Sequence, residues 1–388
     1  MRILHTSDWH LGKKLDTKSR IDEQRLVLKE ITDVVKKESV DIVCVSGDVY
    51  DTYLPSSEAE KLFYDAISDI TKTGAQIIII SGNHDDPLRL TASNSISSLG
   101  GVYFSGIGLD SDYALNDNFE TKLKKYGDDY FIFEKNGEAV CFACLSYPTE
   151  LRMKEKINEN ESYEDKVKRY IAAAIEKAGD LPVVLLAHVF MLGGVTTEGE
   201  RPIDLGGARI LPVSVIPDNV VYTALGHLHK RQIVNRERNI LYSGSIMQYS
   251  FDESGTEKSV YVFDLTCGKV ENLRSVALTS FKPLHTVAAK SISEAEEKIA
   301  SLDGYVLVKL SLDKPDSDNV KEFLQKHPEV SLELSFNGVQ SAIYGRKTLN
   351  DKELFVEYYL SKYGKEPSDE ILKLYLSVIG DDEVNYEA

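Results

Sequence analysis

The chain has 388 residues, 42% of them hydrophobic, which is length for two or three domains with cores of their own. No apolar run approaches the roughly 20 residues of a membrane span, and no basic stretch followed by an apolar one stands at Met1, so the expectation is a cytoplasmic chain with no signal peptide and no membrane contact. Lys and Arg number 45 against 62 Asp and Glu, a net charge of −17; this weighs against a protein that holds nucleic acid by its own charge alone, because phosphate backbones are bound by cations that displace counterions. Metal ions or a partner would have to supply the missing positive charge.

Arg2 to Ser7 is a short apolar run that leads into Asp8-Trp9-His10. Over residues 20–37, Leu26, Val27, Ile31, Val34 and Val35 recur at helical spacing and predict an amphipathic helix. A buried strand is expected at 42–45, a helix over 57–71 with Leu62, Phe63, Ala66, Ile67 and Ile70 on one stripe, and a second buried strand at 76–80. Strands alternating with helices imply a parallel sheet built by right-handed crossovers, apolar on both faces because both are covered. A helix is expected over 88–99 and strands at 102–106, 130–134 and 138–147, the last two joined by the hairpin signal Asn136-Gly137. A helix over 160–178 follows, its early acidic residues suiting the N-terminal dipole. Strands at 182–187, 220–225, 239–242 and 258–265 complete this part.

A sheet this large needs a second layer. The expected fold class is therefore α/β, a two-sheet sandwich flanked by helices over residues 1–270. Near residue 270 the pattern changes. Strands at 285–289, 305–312 and 330–335 alternate with helices at 293–302 and 318–326, a small α+β unit assigned to 281–345. Residues 349–388 carry two short amphipathic helices, the second with Ile371, Leu372, Tyr375, Val378 and Ile379 on one stripe, and too little chain to bury those stripes alone.

Cys44 reads as a small core residue. Cys141 and Cys144 form a C-x-x-C, but inside a strand positions three apart face opposite sides, which argues against a shared zinc ion or disulfide. Cys267 falls in a loop.

Five short stretches carry the chemistry, each at the end of an apolar run: Asp8-Trp9-His10, Gly47-Asp48, Gly82-Asn83-His84-Asp85, Ala187-His188 and Gly226-His227-Leu228-His229. Functional side chains of α/β sheets gather beyond the carboxyl ends of the strands. Asp8 and His10 are two apart, as are His227 and His229, so each pair would face one way from an extended segment. Gly47 and Gly82 would let the backbone turn sharply and approach an ion. Mixed imidazole and oxygen donors suit Mn²⁺, Fe or Zn²⁺ better than Ca²⁺ or Mg²⁺. Two ions about 3.5 Å apart need a bridging carboxylate, for which Asp48 is the candidate. One ion would take Asp8, His10, Asp48 and His229; the other Asp48, Asn83, His188 and His227. His84 remains as the imidazole that stabilises or protonates a leaving oxygen. A strand-end histidine alone is ordinarily a hydrogen-bonded structural residue, and His5, His285 and His327 are assigned to that class. Lys13, Lys14, Lys18 and Arg20 follow the first motif and line a possible substrate path; the competing reading is a solvated loop and helix start.

D-x-H, G-D, G-N-H-D, a lone strand-end His and G-H-x-H, in this order over residues 1–265, resemble the calcineurin-like metallophosphoesterases. The words Ile3 to Gly12, Gly47 to Thr52, Glu200-Arg201-Pro202, Tyr242 to Ile246 and Ser250 to Glu253 are similar to the SbcD family of nuclease subunits within them. The resemblance implies a manganese-dependent DNA nuclease, a double-strand exonuclease and single-strand or hairpin endonuclease of repair, recombination and replication. It implies a homodimer paired through helices near 57–71 and 88–99, an SbcC-type ATPase as partner, a DNA-capping role for 281–345 and a docking role for 349–388. Two positions depart from some relatives: Asp51 stands where others have histidine and receives no catalytic role, and Ala187 replaces a glycine. The competing function is a small-molecule phosphatase or cyclic-nucleotide phosphodiesterase with the same two-metal site, for which the long tail is unnecessary. A non-enzymatic DNA-end scaffold is disfavoured by the full set of ligands.

Overall fold

In the computed structural model, residues 1–106, 118–153, 161–197, 210–312 and 317–336 are described, together with Tyr113, Tyr359, Pro367 and Leu372. The helices expected in 349–388 and the word Glu200-Arg201-Pro202 lie outside the described residues. None of the described helices is long and apolar enough to cross a membrane.

The chain runs β1 (Arg2–Thr6), a two-residue ladder of β2 (Lys14–Leu15) and β3 (Lys18–Ser19), α1 (Ile21–Glu38), β4 (Ile42–Val45), α2 (Ser57–Thr71), β5 (Gln76–Ile80), α3 (Pro87–Thr91), α4 (Asn94–Ser97) and β6 (Val102–Ser105). It continues through β7 (Lys122–Gly127), β8 (Tyr130–Lys135), β9 (Glu138–Leu145), α5 (Glu150–Met153), α6 (Tyr163–Glu176), β10 (Val183–His188), β11 (Val220–Gly226), β12 (Gln232–Asn235), β13 (Ile240–Tyr242), β14 (Lys258–Thr266) and β15 (Lys269–Leu278). Among the described residues one sheet has the order β15-β14-β1-β4-β5-β6 and another β12-β13-β11-β10-β9-β8-β7. β1, β4, β5 and β6 are parallel, and β14 closes on β1 antiparallel.

Three apolar clusters show the layering. Leu4, Val43, Val45, Ile77 and Ile79 face α1 and α2. Ile3, Ile42, Cys44, Ile78 and Ile80 point the other way, against Phe142, Val184, Leu186 and Tyr222 of the second sheet. Val183, Leu185 and Leu225 face α6. Successive side chains alternate between these layers as a strand requires. Cys141 and Cys144 accordingly end in different clusters, and the described cysteines are free.

Local differences from expectation have local causes. Leu26 is 54% exposed and the α1 stripe runs instead through Val27, Leu28, Ile31, Val34 and Val35. The helix expected at 88–99 breaks into α3 and α4 because Asn94 turns its amide to β6, donating to Phe104 O and accepting from Phe104 N, each at 3.0 Å. α6 starts at Tyr163, behind a capping box of Ser162 and Asp165. Asn136 and Gly137 both take the left-handed backbone that a tight hairpin demands. The first sheet runs past residue 270, since β15 pairs along β14 up to Leu278.

The chain divides into two compact units, one of Met1–Val287 with Lys298–Leu307 and Glu329–Ser331, the other built on Ala288–Glu297 and Val308–Pro328. Beyond β15 come β16 (Leu284–Ala289), α7 (Ile292–Ile299), β17 (Tyr305–Leu312), α8 (Ser317–Lys326) and β18 (Val330–Phe336), with the strands in the order β16-β17-β18.

Candidate metal centre

β1, β4 and β5 of one sheet and β10 and β11 of the other end at a common point, and every sequence-predicted ligand sits there. Asp8, His10, Asp48, Asn83, His84, His188, His227 and His229 are all buried, none more than 8% exposed. The two-residue spacing does not act through an extended strand as expected. Asp8, His10, Asp48 and His227 all have positive φ, at 52°, 43°, 50° and 106°. Such backbone is uncommon outside glycine and gathers at functional sites. The loops after β1 and β4 are zipped by Asp8 N–H to Gly47 O (3.0 Å) and His10 N–H to Asp48 O (2.9 Å). Between the two ligands, Trp9 turns the other way, into the core.

Asp48 stands centrally. Its Oδ1 accepts from His84 N–H at 2.8 Å, while its Oδ2 lies 3.6 Å from His10 Nε2 and 3.4 Å from His188 Nε2. On one side His10 Nε2 and His229 Nε2 meet at 3.0 Å. On the other, Asn83 Oδ1 lies 2.9 Å from His188 Nε2 and 3.0 Å from His227 Nδ1. The Asp8 carboxylate accepts from His227 N–H at 3.0 and 3.2 Å and from Ser7 Oγ at 2.6 Å. Asp8, His10 and His229 form one group able to hold a cation; Asp8, Asp48 and His188 form a second, and His10, Asp48 and His84 a third.

Gly47 makes the expected sharp turn, with a φ of 87°, and both glycines also clear space for ligand side chains. A Cβ on Gly82 would stand 2.1 Å from Asp48 Oδ1, and one on Gly47 2.4 Å from His188 Nδ1. Any side chain at either position would displace a ligand of the centre.

Burial and the neighbouring charges together set the protonation. It lowers His10 to about 3, and with the charge of His188 it lowers His227 to about 3. For His188 burial is outweighed by Asp48 and Asp8, which raise it to about 9. Burial raises Asp8 to about 6. Asp48 goes the other way despite its burial, because His188 and His84 hold it well below the carboxylate range. Neutral imidazoles around an ionised carboxylate are what a cation requires of its ligands, and a cation would satisfy the same carboxylates as the His188 proton. With two imidazole nitrogens abutting at 3.0 Å and an amide oxygen between two more, the donor set fits a pair of divalent ions.

A second layer holds these groups. His188 Nδ1 donates to Ser46 O (2.8 Å) and His84 Nδ1 to Asp51 O (2.6 Å), which fixes the ring orientations. Three residues were not legible as site residues in the sequence. Asp85 accepts from Gly82, Tyr50 and Val49 amides at 2.8, 2.9 and 3.1 Å and ties the β4 and β5 loops together. Glu253 lies 3.7 Å from His229 Nδ1 and pairs with the buried Lys258, whose Nζ also donates to His229 O at 2.9 Å. Asp51 Oδ1 lies 3.4 Å from His10 Nδ1 and 3.1 Å from Lys13 Nζ. The only signal for Asp85 and Glu253 was their place inside the motif words.

The basic residues separate. Arg20 is corrected: its buried guanidinium pairs with Glu23 at 2.7 and 3.0 Å and donates to Gln248 O and Lys282 O, leaving no face for a phosphate. Lys13 pairs with Asp51, Lys18 lies over the Tyr305 ring at 5.4 Å, and Lys14 is exposed.

Residues 1–231 match the family model described as calcineurin-like phosphoesterase. Two curated relatives are named as the D-subunit of the SbcCD nuclease. The one from Bacillus subtilis (strain 168) is 35% identical over 305 residues, covering 76% of this chain and 74% of its own length. The one from Rhodobacter capsulatus is 31% identical over 320 residues, covering 79% and 76%. Among solved structures, a dimetal phosphatase from Danio rerio aligns over 72% of this chain and 99% of its own at 11% identity and a TM-score of 0.41, a distant likeness. The chain belongs to the calcineurin-like phosphoesterases and, within them, to the family of SbcCD D-subunit nucleases.

Proposed function

We propose that the chain is the metal-dependent nuclease subunit of an SbcCD-type complex, cutting DNA at double-strand ends, single strands and hairpins together with an SbcC-type ATPase. The observation that carries this is the position of Asp48 Oδ2 between His10 and His188, 3.6 and 3.4 Å away, in a chain of this family. Asp8, His10, Asp48 and His229 would hold one ion and Asp48, Asn83, His188 and His227 the other, with manganese the metal assigned to both. Bound there, the ions would supply Lewis acidity toward a phosphoryl oxygen and acidify a water.

The protein groups do the rest. Asp48 spans the two ligand sets and fixes their separation. Asn83 offers a neutral oxygen, so it neutralises less of its ion's charge than a carboxylate would. His84 donates from Nδ1 to Asp51 O, so the proton it exchanges is the one at Nε2, which goes to the leaving oxygen. Lys14, exposed, and the neighbouring Lys13 steer the DNA backbone, while the Lys18 ammonium is buried against Tyr305.

The remaining assignments rest on the family. Residues 281–345 cap the DNA and 349–388 dock the ATPase, which contributes the basic surface that a chain of charge −17 lacks. The chain works in the cytoplasm as a homodimer. Pairing is supported by the exposed apolar side chains Leu88, Ile96 and Leu99 on and beside α3 and α4, at 65, 76 and 57%.

The test is cleavage of an end-labelled DNA hairpin with Mn²⁺, wild type against His84→Ala, with metal content measured on both. Loss of cleavage by about 100-fold or more at unchanged metal content is expected. A variant that cuts as well as wild type removes His84 from the reaction, and a wild type inert on DNA with its ATPase partner present removes the nuclease reading.

A further inference from the structure

Arg152 reaches the centre from the second sheet. It lies on α5, just after β9, and is half-buried. Its Nη1 donates to Gly82 O at 2.7 Å, and its Nη2 donates to Asp85 O at 2.7 Å and to the Tyr53 hydroxyl at 2.7 Å. Gly82 and Asp85 flank Asn83 and His84, so the guanidinium spans that pair from outside while the Asp85 carboxylate holds the amides from inside. Tyr53 stands two residues after Asp51, whose carbonyl fixes the His84 ring. The guanidinium also lies over the rings of Tyr147 and Tyr53, at 5.6 and 5.8 Å, and the Tyr147 ring stacks on His227 at 6.0 Å.

One planar fork thus braces the backbone on both sides of Asn83 and His84, the loop that orients His84, and the ring behind His227. Its described contacts include none of Asp8, His10 and His229. A lysine, with one compact charge, cannot span two carbonyls and a hydroxyl in this way.

We propose that Arg152 is a positioning residue for Asn83 and His84, acting more strongly on the half of the centre that holds Asn83, His188 and His227 than on the half that holds Asp8, His10 and His229. This rests on the two-ion reading above. It sets the oxygen that Asn83 presents and the approach of His84 to the leaving group, and it takes no part in the chemistry itself.

The test uses the full chain, freed of metal and titrated calorimetrically with Mn²⁺, as wild type, Arg152→Lys and Arg152→Ala. In parallel, hydrolysis of bis(p-nitrophenyl) phosphate is measured at saturating Mn²⁺. In Arg152→Ala one of the two Mn²⁺ affinities is expected to fall about 10- to 100-fold and the other to hold within about twofold, with kcat falling by a similar factor at unchanged KM. Arg152→Lys recovers little, and added guanidinium ion restores part of the Arg152→Ala rate. Two equal affinity losses would make Arg152 a general brace, and a raised KM with full kcat would make it a substrate contact; either overturns the proposal. Should Arg152→Ala not fold, Arg152→Lys carries nearly the same split and Tyr53→Phe a smaller one. A wild type that takes up no Mn²⁺ sinks the two-ion reading and this one together, whereas a two-ion wild type matched by its variants sinks this one alone.

Discussion

Lys258 and Glu253 show what a single buried pair does for a ligand it does not replace. Both side chains are 1% exposed, and they share Ser245 as well as the His229 surroundings. Burial works against the Glu253 charge, but Lys258 and His229 beside it hold its carboxyl far below the usual range. Lys258→Met would leave that carboxylate buried and unpaired, which costs about 3–5 kcal/mol. Urea unfolding checks this, and adding Glu253→Gln in the same chain should recover most of the loss. A single variant within about 1 kcal/mol of wild type would show that the pair is dispensable. Glu253 was marked in the sequence only by its place in the word Ser250 to Glu253, and Lys258 only as the first residue of a strand, with nothing to pair them. The eight residues of the centre were legible for the opposite reason: buried-strand runs ending in Asp, Asn or His are hard to explain as turns. The left-handed backbone of Asp8, His10 and Asp48 was invisible, because it follows from how the β1 and β4 loops hydrogen-bond to each other. Arg20 was misjudged because a basic residue before a helix looks exposed, and its acceptors on Gln248 and Lys282 are far along the chain.

At the scale of elements, the start of α1 is locked by the same arginine. Glu23 accepts from Arg20, from Lys282 N–H at 2.9 Å and from the Tyr305 hydroxyl at 3.0 Å. Burial would raise its carboxyl, yet Arg20 prevails and holds it below the ordinary glutamate range. A carboxyl lowered on folding stabilises fully above its unfolded value and loses that contribution as pH falls through the folded one. The gap in melting temperature between wild type and Glu23→Gln should therefore be widest near neutrality and close progressively below about pH 4.3. A gap that does not change with pH would contradict this. Strands at 42–45 and 76–80 were readable to the residue because both faces are apolar. β15 was not, since nearly all of its residues face solvent to some degree and an edge strand carries no continuous apolar signal. β12 escaped for the same reason.

For the whole molecule, the net charge of −17 sets the terms on which DNA can be held. Deleting residues 349–388 is expected to abolish copurification with an SbcC-type ATPase while leaving Mn²⁺-dependent hydrolysis of a model phosphodiester intact; retained copurification would place the docking surface elsewhere. The pairing of β1 with β14 has a consequence for synthesis. Arg2 leaves the ribosome early, and its ladder partner Asp264 follows 262 positions later. Non-local ladders of this kind are slow to close, because the loop must be closed before its contacts reward it. A nascent chain holding Asp8, His10 and Asp48 therefore lacks the strand that closes the sheet beside them, and lacks Lys258 and Glu253 behind His229. The full ligand set therefore exists only once β10 and β11 have followed β1, β4 and β5, and the support behind His229 only once β14 has been made.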